Sequence, residues 1–277
     1  MVSQDIAQTR AEWDRIAPGY DRTNTRTQMA LGAEALRRAG LSPGMRFLDV
    51  ASGSGALSVP AARIGASVVA VDLSPVMLTL LQERAHREGL AIETQVMDGH
   101  ALAIDDDSFD VAGSQFGVML FPDMPRGVHE LARVFRKGGR VLMVAYGDPH
   151  AIDFLTFLIR GIQAVRPDFT GPPADPVPLP FQLQDPARLH RELVDAGLNE
   201  VTVSTVTEAT EFQDGAELWD WVIWSNPIAP ALIDGLELTS VEREAVIDRL
   251  ETLIRARAGG SGPATLTNPV HIGIGTK

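Results

Sequence analysis

The sequence predicts an α/β fold, a doubly wound and mostly parallel sheet with helices on both faces. Three observations predict it. Strand-like and helix-like segments alternate through the first 146 residues. Several of those strands are apolar on both faces, as strands of a covered parallel sheet must be. The strand ends carry a glycine-rich turn and a series of acids, where ligands of such sheets bind.

Residues 28–39 read as a helix stopped by Gly40, with Pro43-Gly44 as a turn. Arg46-Phe47-Leu48-Asp49-Val50 is a short apolar strand, followed by Ala51-Ser52-Gly53-Ser54-Gly55. Residues 56–64 suit a helix ended by Gly65. Ser67–Val71 is a β-branched second strand that ends at Asp72. Ser74-Pro75 opens a helix with a hydroxyl cap and a proline in the first turn, and Val76, Met77, Leu80 and Leu81 share one face of it. A third strand covers 91–97 and ends at Asp98. A fourth, Phe109–Ser114, ends before Gln115. Pro125–Arg136 reads as a helix, and Gly138-Gly139 turns into a fifth strand, Arg140–Tyr146.

The second half is less regular. A helix is expected over Ile152–Val165. Pro172, Pro173, Pro176, Pro178 and Pro180 mark a surface loop or lid. Asp185-Pro186 starts a helix ended by Gly197, and Val201–Val206 is a strand. Thr239–Arg257 is a strong helix: Thr239 and Glu242 fit a capping box, and Val246, Leu250 and Ile254 share a face. Gly259–Pro263 is flexible in composition. Val270, Ile272 and Ile274 alternate as an antiparallel or edge strand would. No internal repeat is present. The expected organisation is one domain over 1–277, with a helical lid at 1–30 and substrate-cap insertions at 147–184 and 208–238.

Composition sets outer limits. The 277 residues are 45% hydrophobic and 22% charged, enough to bury a core without staples. The absence of cysteine excludes disulfides, a thiol nucleophile and thiolate metal sites. A formal net charge of −12 opposes binding to a phosphate backbone. Met1–Arg10 is polar, and no apolar run approaches the roughly 18 residues of a membrane span. The expectation is a soluble cytoplasmic protein, monomer or homodimer. Its partner is a small molecule, with neither nucleic acid nor membrane involved.

A nucleotide-like ligand at such a sheet end needs close backbone approach, which Gly53 and Gly55 provide. It needs an acceptor for ribose hydroxyls, and Asp72 ends the second strand where that acceptor sits. Asp98, at the end of the third, is suited to accept from an exocyclic amine. At these residues the chain resembles the class I S-adenosylmethionine-dependent methyltransferases, in particular small-molecule enzymes similar to ubiquinone/menaquinone methyltransferases. The resemblance is carried by Leu48-Asp49-Val50-Ala51-Ser52-Gly53-Ser54-Gly55, Asp72-Leu73-Ser74, Asp98-Gly99 and Ser108-Phe109-Asp110-Val111. Trp13-Asp14-Arg15-Ile16-Ala17-Pro18-Gly19-Tyr20-Asp21 and Arg133–Arg140 add to it, and it covers roughly residues 10–146.

That resemblance implies a Rossmann-like seven-stranded sheet whose last strand is antiparallel, and S-adenosyl-L-methionine as cofactor. Backbone at Ala51 and Gly53 would meet the methionine moiety, and Asp49 would help place its amino group. Asp72 would bind the ribose. Leu73 and Met77 would flank the adenine, and Asp98 with the Gly99 amide would read its edge. Gln115 and Phe116 would border the sulfonium, His100 the cofactor, and Tyr20 would close over it. Ala51 replaces a frequent glycine of the family, and Gly99 a frequent alanine. The rival is a nicotinamide-dependent oxidoreductase. Its Gly-x-Gly-x-x-Gly/Ala fingerprint meets Ser58 at the last position, and no Ser/Tyr/Lys constellation accompanies it.

Other features have plainer readings. Asp105-Asp106-Asp107 reads as a solvated turn, and no metal site is expected. His86 and His190 read as surface residues and His129 as packing, while His271 lies in the last strand. His150, after the fifth strand, is the candidate for a general base. Trp221 and Trp224 share a helical face and, with Phe154 and Phe157, form either cap packing or an aromatic substrate wall. Trp219 points elsewhere. Trp13, Ile16 and Tyr20 fit a helical lid, and Trp13 and Tyr146 complete the candidate substrate set. The expected activity is methyl transfer to an O, N or C nucleophile of a small, largely apolar or aromatic metabolite. The alternatives are the oxidoreductase and a non-catalytic S-adenosylmethionine-binding protein.

Overall fold

The computed structural model describes residues 6–172 and 175–277, so Pro173 and the first five residues of the expected lid lie outside the described residues. One seven-stranded sheet has the order β3-β2-β1-β4-β5-β7-β6. Its strands are β1 (Arg46–Val50), β2 (Ser67–Asp72), β3 (Ile92–Val96), β4 (Phe109–Gln115), β5 (Phe135–Tyr146), β6 (Asn199–Phe212) and β7 (Ala264–Thr276). β7 alone is antiparallel, hydrogen-bonded between β5 and β6. The order reverses between β1 and β4, which opens a crevice beyond their carboxyl ends. β1 and β4 are buried nearly throughout, while edge strand β3 has two exposed residues in five.

Around the sheet lie α1 (Ile6–Tyr20), α2 (Arg26–Arg38), α3 (Ser58–Ile64), α4 (Pro75–Arg87), α5 (Met124–Val134) and α7 (Pro186–Asp195). The cap is built from α6 (Asp153–Ile162), α8 (Gly215–Ile223), α9 (Ile228–Gly235) and α10 (Ser240–Arg257). Thr239 and Glu242 form both halves of the expected capping box on α10. Val246, Leu250 and Ile254 are fully buried.

Several expected boundaries move. The lid is not a unit ending at residue 30: helix runs from Ile6 to Arg38, with a π turn at Asp21–Thr25 in place of a break. Pro18 lies inside α1, where it removes one backbone donor, and three residues later the spacing widens. β6 is 14 residues long, so the cap begins after Phe212 and not at 208. Its outward Thr205, Thr207 and Glu211 masked the strand in the sequence. β7 is antiparallel, one of the two readings its alternation allowed, and lies inside the sheet. Its Gly273 leaves no room for a side chain, since a Cβ there would lie 2.9 Å from Leu193 Cδ1 and 3.0 Å from Leu189 Cδ2 of α7. β5 begins at Phe135, and a bulge opposite Phe109 and Val111 absorbs Gly138-Gly139.

Asp153 fastens the cap to the sheet. At the start of α6 its carboxylate accepts from Thr267 N (2.8 Å) and Thr267 Oγ1 (3.0 Å) on β7, and from both terminal nitrogens of Arg257 at the end of α10 (2.9 and 3.0 Å). Hydrogen bonds to a charged group contribute about 1.5–3 kcal/mol. Asp153→Ala is therefore expected to lower stability by about that amount in a urea unfolding curve, and an unchanged midpoint would refute the fastening role.

Candidate functional site

The glycine turn is held by one carboxylate. Asp72, at the end of β2, accepts from Gly53 N through Oδ2 (2.8 Å) and from Ser74 N through Oδ1 (2.8 Å). Ser74 Oγ accepts from Met77 N (3.1 Å) as the cap of α4 and donates to Asp14 of α1. The lid is tied down twice more, by an Asp21–Arg84 ion pair and by Thr25 Oγ1 against Ser54 Oγ (2.5 Å). Burial holds the Asp72 carboxyl up at about 6, against its backbone hydrogen bonds.

Beyond the strand ends lies a cavity of about 910 Å³, its mouth included. The structure brings Ala51, Gly53, Asp72, Leu73 and Met77 to one side of its wall. Asp98, Gly99, His100, Gln115 and Phe116 come from the neighbouring strand ends, and Tyr20 from the lid. Two of these residues, Ala51 (φ +56°) and Phe116 (φ +58°), hold left-handed backbone conformations that cost a non-glycine residue about 1 kcal/mol or more. His100 Nδ1 lies 2.7 Å from Asp98 Oδ1, and its ring packs on Phe121 at 4.4 Å. The glycine at 99 follows from that packing: a Cβ there would meet Phe121 Cζ at 2.5 Å. The sequence reading missed Phe121, Ile6 and Thr9, which also line this cavity.

Asp49 and Gly55 do not line it. The Asp49 side chain turns into the sheet and accepts from Ser58 Oγ (2.5 Å), leaving Oδ1 buried without a partner. Burial raises its carboxyl to about 7; the Ser58 hydrogen bond opposes the rise and the charge of Asp72 adds to it. Gly55 (φ +101°) serves packing, because a Cβ would lie 2.3 Å from Leu81 Cδ1.

A second cavity, about 1380 Å³ with its mouth, adjoins the first. Trp13, Tyr20, Phe116 and Leu120 line both. Tyr146 and Phe154 line the second, as do Pro172, Pro176, Pro178 and Pro180, so the proline-rich stretch is a wall of this chamber. Phe116 and Tyr146 stack at 4.3 Å with planes 16° apart. The other aromatic candidates are packing residues. Phe157 is buried under the Arg257 guanidinium (5.3 Å). Trp221 stands behind Phe154 (4.9 Å) and donates from Nε1 to Thr27 Oγ1 (3.2 Å). Trp224 lies over Gly19, where a Cβ would come within 2.2 Å of its ring. His150, the candidate base, is exposed in the turn after β5 and lines neither cavity.

Asp106, Asp107 and His271 have structural partners. Asp106 pairs with Arg133 (2.6 Å) and Asp107 with Lys277 (2.7 Å). His271 is buried between Thr205 Oγ1 and the Gln184 carbonyl, each at 2.9 Å. Among the described residues no group of three or more His, Cys, Asp or Glu is arranged to hold a metal. No helix among them is long and apolar enough to cross a membrane.

Two groups near the cavities went unnoticed in the sequence. Gln28 accepts from Tyr20 Oη (3.1 Å), and Gln115 Nε2 donates to its carbonyl (3.0 Å). Glu208 on β6 is 5% exposed and accepts from Asn268 Nδ2 (3.1 Å), with its other oxygen unpartnered. Burial raises its carboxyl to about 7, opposed by Asn268. A glutamate in a polar-looking strand carries no mark of burial, so no sequence signal pointed to it.

A family described as methyltransferase domain matches residues 48–143. Those residues, about a third of the chain, are similar to a methyltransferase domain. An uncharacterized protein of Mycobacterium tuberculosis is 43% identical over 116 residues, 42% of each chain. The chain thus matches less than half the length of that curated relative. A demethylmenaquinone methyltransferase of Clavibacter sepedonicus is 34% identical over 154 residues, covering 53% of this chain and 62% of that protein. The crystal structure of the YcgJ protein from Bacillus subtilis shares the fold, with a TM-score of 0.56, 16% identity, and coverage of 90% of this chain and 97% of that one.

Three carboxyls raised by burial fix a pH dependence. Asp49, Asp72 and Glu208 sit at about 7, 6 and 7, above the ordinary carboxylate value near 4. The folded chain therefore holds protons that the unfolded chain releases, and their stabilisation is complete below about pH 4 and lost as pH rises through 6 to 7. The melting temperature of the ligand-free protein is expected to fall from pH 5 to pH 8, and to fall less in Glu208→Gln, which cannot ionise. An equally steep fall in that variant would contradict the assignment.

Proposed function

We propose that the chain transfers the methyl group of S-adenosylmethionine to an oxygen, nitrogen or carbon nucleophile of a small, largely apolar metabolite in the cytoplasm. One observation carries this reading: two chambers meet at Trp13, Tyr20, Phe116 and Leu120, one lined by carboxylates at strand ends and one by aliphatic, aromatic and proline side chains. The residues present fit the cofactor. Asp72, on the cavity wall, has no basic side chain in ion-pair contact among the described residues, which suits a cationic ligand. Asp72 would hold the ribose hydroxyls, Leu73 and Met77 the adenine faces, and Asp98 the adenine edge. When bound, S-adenosylmethionine supplies an electrophilic methyl group on sulfur.

The chain's own part is alignment and the exclusion of water. Phe116 and Tyr20 stand between the chambers, and the lid anchored by Asp14 and Asp21 covers them. Fixing two reactants in line contributes up to roughly 7–11 kcal/mol, which needs no side chain to enter the chemistry. A dry wall favours a reaction in which the charge on sulfur disappears. The demethylmenaquinone methyltransferase relative supports an apolar acceptor. Calorimetric titration is expected to show binding of S-adenosylmethionine and S-adenosylhomocysteine, with no response to NADH or NADPH. Asp72→Ala is expected to weaken that binding by about tenfold or more, the worth of one or two charged hydrogen bonds. Full affinity in that variant would sink the site assignment.

A further inference from the structure

The loop that follows β3, from Asp98 to Ile104, is pinned at its far end to α5. Leu102 N donates to Glu130 Oε2 (2.7 Å), and Arg133 donates to the carbonyls of Leu102 (2.9 Å) and Ile104 (2.8 Å). Its near end is cavity wall, where Ala101 N closes a turn on the Asp98 carbonyl (3.0 Å). Inside that turn the Asp98 side chain is engaged on one oxygen. Oδ1 accepts from His100 N (2.9 Å) and lies 2.7 Å from His100 Nδ1.

Against a carboxylate oxygen, Nδ1 carries the ring proton and donates, which leaves Nε2 as the lone-pair nitrogen of the neutral ring. Two donors from one residue occupy Oδ1 and fix the rotation of the carboxylate. The ring that supplies the second is itself packed in place, with Phe121 against it at 4.4 Å and tilted 31°. The Phe121 carbonyl accepts from Gln182 Nε2 (3.0 Å), and its ring lies where a Cβ at Gly99 or Gly127 would come within 2.5 or 2.6 Å. Oδ2 of Asp98 has no hydrogen-bond partner among the described residues, on a residue that lines the first cavity. A fixed carboxylate oxygen with free lone pairs takes a donor, and a ligand that brings none leaves it unpaired. A site built in this way rejects the analogue that lacks the donor.

We propose that His100 is a positioning residue for cofactor selection: its ring holds Asp98 with Oδ2 turned to accept from the exocyclic amine of the bound nucleoside, so that a base without that amine is refused. The proposal rests on the reading of the first cavity as the cofactor chamber. His100 acts through Asp98 and needs no contact of its own with the cofactor. Its two contacts are separable, since the ring face packs on Phe121 while the Nδ1 donor alone fixes the carboxylate.

Calorimetry on the full chain tests it with two ligands, S-adenosylhomocysteine and its analogue carrying purine in place of adenine, which differ only by the exocyclic amine. The wild type is expected to prefer S-adenosylhomocysteine by about tenfold or more, the worth of a hydrogen bond to a charged group. His100→Phe keeps a ring on Phe121 without the donor, and the preference is expected to fall to about threefold or less. His100→Asn keeps a donor near the Nδ1 position without the ring, and is expected to retain the preference within about twofold. A role in packing alone would reverse the order of the two variants or weaken both ligands together. An unchanged preference in His100→Phe, or one lost equally in His100→Asn, would overturn the proposal. Without any variant, ring nitrogen chemical shifts of the ligand-free protein are expected to show neutral His100 as the Nδ1–H tautomer, and the Nε2–H tautomer would overturn it as well. Equal affinity of the wild type for both ligands would remove the amine-reading role and leave the cofactor reading standing, whereas binding of neither would remove both.

Discussion

A single carboxylate at the end of β2 organises everything on the ligand side of the sheet. Asp72 receives the backbone of the glycine turn on one oxygen and the start of α4 on the other. Ser74, so positioned, caps α4 and holds Asp14 of the lid. The turn after β1, the helix after β2 and the N-terminal helix are thus three elements referred to one side chain. Such an arrangement uses an acid that burial disfavours in its charged form, and the backbone N–H groups offset part of that cost. The same group lines the cavity it organises.

The electrostatics of the chain divide in two. On the surface, acids find arginines: Glu34 with Arg37 and Arg38, Glu88 with Arg63, Glu242 with Arg166. Such exposed pairs contribute little each. Around the chambers the acids are buried without arginine, and both tyrosines of the chain stand among them. Tyr20 is held above the usual phenol range by burial first and then by Asp72, Asp49 and Glu208. A region this negative and this dry suits a positive ligand on one side and a neutral one on the other.

Much of the first cavity's lining was legible in the sequence because its residues sit in local patterns. Asp72 before Ser74-Pro75, Gly53 in its turn and Asp98 with Gly99 are each fixed by their strand end. The glycine at 99 is required by Phe121 pressed against it, a contact 22 residues away that the sequence does not display. Asp49 misled because a strand residue alternates faces, and its own face points to Ser58. The acceptor side was less legible. Tyr146 and Phe154 reach the chamber, yet Trp221 and Trp224, equally aromatic, pack against the N-terminal helices. Gln28 and Glu208 meet Tyr20 and Asn268 across 8 and 60 residues of chain, and such contacts have no sequence signature.

The position of β7 has a bearing on how the chain assembles. β6 pairs with β7 and with no other strand, and β7 fills the place between β6 and β5. During synthesis the 14 residues of β6 emerge before any hydrogen-bonding neighbour exists for them. The half of the sheet from β3 to β5 can close on local βαβ contacts as it leaves the ribosome, whereas β6 and the cap helices must wait for residues 264–276. The long-range pairing of those last residues makes them the keystone of the slow half, and the nascent chain exposes an unpaired strand edge until they arrive.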